Sequence, residues 1–88
     1  FSVHAPTDPS VMPRVLEVFA KRGLVPSRWH SSVGGAGGEE LHIDIQIAGL
    51  EPGVGDRLAA SLRQLACVET VLTSAAPPPA RGGTSRGA

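Results

Sequence analysis

The chain has 88 residues, enough for one small domain and too few for a multi-step enzyme that carries its own cofactor domain. Apolar residues make up 41% and aromatics only 3%, so the core is built from Val, Leu, Ile and Ala, and base-stacking surfaces are scarce. Eight Lys and Arg balance eight Asp and Glu, and Cys67 is the sole cysteine. That excludes the strong basic field of non-specific nucleic-acid binding, an internal disulfide and a Cys-rich zinc site.

Phe1, Val3 and Ala5 alternate with Ser2 and His4, the period-two pattern of a strand with one buried face, ended by Pro6. The cluster Thr7-Asp8-Pro9-Ser10 then precedes Val11, Met12, Val15, Leu16 and Phe19 at helical spacing, which predicts an amphipathic helix. Pro13 is tolerated only in a first turn, which favours Ser10 as N-cap. Gly23 behind Lys21 and Arg22 is the expected stop.

A second strand is predicted over Val25–Val33, with Trp29 on it at a sheet edge, running into the loop Gly34-Gly35-Ala36-Gly37-Gly38. Leu41, Ile43, Ile45 and Ile47 alternate with His42, Asp44 and Gln46 in the clearest strand signal of the chain. Val54, Leu58, Leu62 and Leu65 recur at three- and four-residue spacing and predict a second helix. Val68, Val71 and Leu72 predict a short closing strand. Residues 74–88, SAAPPPARGGTSRGA, contain no large apolar side chain and are expected to form a disordered tail behind a folded domain over 1–73. The body carries six cations against eight acids, and Arg81 and Arg86 give the tail its two positive charges.

Strand, helix, strand, strand, helix, strand is the ferredoxin-like split βαβ order, an α+β fold with two helices on one face of a four-stranded antiparallel sheet. That fold hosts unrelated functions, so function rests on the residues. One cysteine cannot hold an iron–sulfur cluster, and the loop Pro6-Thr7-Asp8-Pro9 lacks the paired cysteines of a metal chaperone. Aromatic stacking positions for RNA are missing from the central strands. No nucleophile with a base, and no pair of buried carboxylates, can be assembled for catalysis, so no catalytic activity and no cofactor are expected. His4, His30 and His42 share the polar parity of neighbouring strands; a polar or partner-covered sheet face is the simpler explanation, and a metal site the rarer one. No apolar run reaches the length of a membrane span, and the start at Phe1 without a charged leading segment predicts a cytoplasmic protein.

The segment Thr7 to Leu24, TDPSVMPRVLEVFAKRGL, resembles the start of an ACT domain, a regulatory amino-acid-binding module of the same βαββαβ order. Pro9, Arg14-Val15-Leu16, Arg22-Gly23 followed by an apolar residue, the Leu41–Ile47 strand and the run Leu62–Val71 are most similar to the short regulatory subunits of acetohydroxyacid (acetolactate) synthase. The likeness covers residues 1–73. It implies a homodimer with a continuous eight-stranded sheet that binds and activates the catalytic subunit of that enzyme in branched-chain amino-acid biosynthesis. It further implies an amino-acid site formed by Thr7, Asp8, Pro9, Ser10, Val11 and Met12, with Leu24, Val25, Pro26 and Ser27 supplied across the dimer interface.

Thr7 stands where valine-sensitive members have Asn, Ser10 where they have Gly, and Val25 replaces the Asn that follows Arg-Gly-aromatic. These departures weaken amino-acid binding more than they weaken the fold, which implies activation ahead of feedback inhibition. A free-standing amino-acid sensor for another enzyme or regulator is the alternative.

Overall fold

The computed structural model describes residues 1–74; the predicted tail beyond Ser74 lies outside the described residues. The elements are β1 (Ser2–Pro6), α1 (Val11–Ala20), β2 (Arg28–Gly34), β3 (Glu40–Gln46), α2 (Val54–Arg63) and β4 (Thr70–Leu72). They form one antiparallel sheet in the order β2-β3-β1-β4, the α+β ferredoxin-like arrangement expected from the sequence.

The alternation in β1 and β3 sets the two faces. Val3 lies opposite Ile43 and Ala5 opposite Leu41, and all four are buried. They meet Val11, Val15 and Phe19 of α1 and Leu58, Ala59 and Leu62 of α2, with Val71 of β4 closing the core. Phe1 packs edge-to-face on Phe19, with ring centroids 5.6 Å apart. Shifting either central strand by one residue would expose this entire set.

Three boundaries differ from the sequence expectation. β2 begins at Arg28, not Val25, because the chain leaves α1 through a Schellman turn and then meets Pro26, which has no N–H for a ladder. In that turn Gly23 N–H donates to Ala20 O (3.0 Å) and Leu24 N–H to Phe19 O (3.0 Å), with Gly23 at φ +69°. Helix α2 stops at Arg63, and Leu65 follows in a turn, half-buried against the core. β4 is reduced to three residues, and Val68 packs under the core from the preceding turn.

The capping side chain at α1 also differs. Ser10 occupies the N-cap position but caps nothing with its hydroxyl. Asp8, two residues ahead, takes over: its Oδ1 accepts from Ser10 N–H and Ser10 Oγ–H, both at 2.8 Å, and its carbonyl accepts from Val11 N–H at 3.1 Å. Asp forms this kind of local turn more readily than Ser because its carboxylate reaches the amide two residues on.

Candidate functional site

The turn between β1 and α1 is held on both sides. Thr7 Oγ1–H donates to Gly38 O (2.7 Å) and Thr7 N–H to Glu39 O (3.1 Å), which ties the turn to the β2–β3 hairpin loop. Asp8 is exposed, and its hydrogen bonds from Ser10 hold its carboxyl below the ordinary carboxylate range. A helix start usually offers several free amides to an anion. Here Ser10 N–H goes to the Asp8 carboxylate and Val11 N–H to the Asp8 carbonyl, and Pro13 has none. Met12 is left as the first-turn amide without a partner among the described residues.

The other half of the predicted site lies at the far end of α1. Leu24 is half-buried against the core, Val25 is 82% exposed and Pro26 half-buried, all beyond the Schellman turn. A ten-residue helix separates the two halves by about 15 Å. A single chain therefore does not bring Thr7–Met12 and Leu24–Pro26 together.

One lateral edge of the sheet carries apolar side chains that are uncovered among the described residues. Among the described residues β2 is an edge strand, paired to β3 alone. Its helix-side residues, by register, are Trp29 opposite Ile45, Ser31 opposite Ile43 and Val33 opposite Leu41. Trp29 is half-buried, whereas Val33 is 60% exposed. On α1, Val18 turns toward α2, and Met12 and Leu16 lie on the opposite flank, 37% and 44% exposed. Helix α1 connects β1 to β2 across β3, and that flank lies on the side of α1 away from α2. The sequence places Met12 and Leu16 in the same apolar stripe as Val11, Val15 and Phe19; the fold buries only the latter three. A stripe wider than one buried row was the available signal for a second contact face.

The opposite sheet face is bare and polar. His4 of β1 lies directly across from His42 of β3, their rings stacked with centroids 4.3 Å apart. His42 Nε2 is 3.5 Å from Asp44 Oδ1 and is shielded from solvent without a hydrogen-bond partner among the described residues. Asp44 accepts from Ser2 Oγ–H at 2.7 Å, which holds its carboxyl below the usual range, and His30 sits opposite it on β2. Sequence parity thus places the three histidines on one face correctly. Among the described residues, no group of three or more His, Cys, Asp or Glu is arranged to hold a metal ion. Cys67 is half-buried against the core, as a small apolar residue would be.

No helix among the described residues is long and apolar enough to cross a membrane. No family model matches the chain, and a search of the curated proteins finds no significant match.

Proposed function

We propose that this protein is a non-catalytic regulatory subunit of the ACT type. It pairs with a second copy of itself along β2 and, as that dimer, binds and activates the catalytic subunit of an acetohydroxyacid synthase. The observation that carries this reading is the edge strand β2: among the described residues it is paired on one side alone, it carries Trp29 and Val33, and Met12 and Leu16 of α1 are exposed as well. Exposed edges of this kind are normally blocked or paired, and apolar side chains beside one are the material of an interface core.

A two-fold axis through paired β2 strands makes those strands antiparallel. The Arg28 end of one strand then lies beside the Gly34 end of the other. Leu24, Val25 and Pro26 of one copy thereby approach the Thr7–Met12 turn of the partner, which is tied to that end of the sheet through Gly38 and Glu39. Pairing thus completes an amino-acid site that one chain leaves in halves. The internal use of Asp8 and Ser10 favours assembly and activation over strong amino-acid sensing.

The deciding experiment assays the acetohydroxyacid synthase catalytic subunit of the same organism alone and with this protein, with and without valine. Stimulation and co-elution are expected, with a weak valine response. Unchanged activity and separate elution would refute the assignment and leave the free-standing sensor.

A further inference from the structure

A cleft of about 360 Å³ lies between the two helices, lined by Val18, Lys21 and Arg22 from the end of α1 and by Ser61, Gln64 and Leu65 from the end of α2. Its size falls in the range of small-ligand sites. Val18 and Leu65 are partly buried against the core and supply apolar walls. Lys21 and Arg22 supply two positive charges, and no acidic residue lines the cleft. Neither cation has a carboxylate partner among the described residues. Cations at helix C-termini complement the partial negative charge of the last carbonyls. Arg22, however, reaches across to the second helix, its Nη2 donating to Ser61 Oγ at 3.4 Å. That long bond presents the guanidinium at the cleft with most of its donors unused.

We infer that this cleft binds a small amphipathic carboxylate, its oxygens held by Arg22 and Lys21 with Ser61 and Gln64 as further hydrogen-bonding groups, and its short aliphatic chain laid against Val18 and Leu65. A planar guanidinium takes a carboxylate through two parallel bonds, and the apolar walls add affinity that an inorganic anion cannot gain. The cleft lies between the two helices, at the other end of α1 from the β1–α1 turn.

The test is an amide chemical-shift titration of the whole protein with three probes: butyrate, inorganic phosphate and butylammonium. Butyrate is expected to give saturable shifts at Val18, Ser61 and Leu65, tighter than phosphate, with no response to butylammonium. Arg22→Gln should weaken butyrate by about tenfold. Lys21→Gln should weaken it less, and unchanged dispersion of the spectrum shows that both variants remain folded. Equal responses to butyrate and butylammonium would overturn the inference, as would butyrate binding unchanged in the Arg22→Gln, Lys21→Gln double variant. Failure of butyrate to saturate at these residues would do the same.

Discussion

Gly23 carries the sharpest single-residue constraint. Its φ of +69° belongs to the left-handed region, and a Cβ built there meets nothing within 4 Å. The cost of replacing it is therefore backbone strain without steric clash. Gly23→Ala should lower stability by about 1–2 kcal/mol, Gly23→Val by more because a β-branched residue resists positive φ, and Gly23→Asn by less; denaturant midpoints rank the three. Arg22→Ala should cost less than Gly23→Val, since it leaves the turn's backbone intact.

Asp8 gives a pH signature. Its folded carboxyl is held below the ordinary value by Ser10, so its contribution is complete above the ordinary carboxylate range and is lost as pH falls through the depressed value. Asp8→Ala should melt below the parent at pH 7, with the gap closing in strong acid. A gap independent of pH would show that the carboxylate does not cap α1.

At the scale of elements, β2 is the strand whose sequence and environment disagree most. Val33→Lys places a charge on the uncovered edge at a residue already 60% exposed. It should leave monomer stability within about 0.5 kcal/mol while abolishing self-association, read by sedimentation or light scattering at matched concentrations. Self-association that survives both Val33→Lys and Leu16→Lys would place the interface elsewhere.

This element also marks the limit of what the sequence made legible. β1 and β3 were readable because strict alternation over Val3, Ala5, Leu41, Ile43 and Ile45 admits one burial pattern. The start of β2 was not, since Val25 is as apolar as any strand residue and yet stands in the connection, placed there by Gly23 and Pro26. Likewise Ser10 has the position of a cap, but its hydroxyl donates to the Asp8 carboxylate and leaves the Met12 amide without a partner among the described residues. Periodicity reports a face; it does not report which of two adjacent polar side chains wins a hydrogen bond. The two segments of the proposed ligand site come from the resemblance alone, which already assigns Leu24–Ser27 to the partner copy.

At the scale of the domain, twelve buried side chains among the described residues make the core, and a domain this small has little stability to spare. Ile43 is fully buried in the core on the central strand β3. Ile43→Ala should cost about 2–5 kcal/mol, enough to unfold much of the population at physiological temperature. If folding is coupled to pairing along β2, the melting temperature should rise with protein concentration in the parent and stay constant in Val33→Lys. A parent melting temperature that does not change with dilution would exclude that coupling.

The helix start, finally, has an implication for competition. Asp8 offers its own carboxylate to the Ser10 amide at 2.8 Å, one of the donors that an incoming amino acid's carboxylate would seek. The occupant is covalently tethered, and tethered groups act at effective concentrations far above those of free metabolites. A diffusing amino acid must evict this resident before it can bind that amide. Under the proposed function, a turn already occupied by its own chain would leave a regulatory subunit holding its partner in one state across a wide range of amino-acid supply.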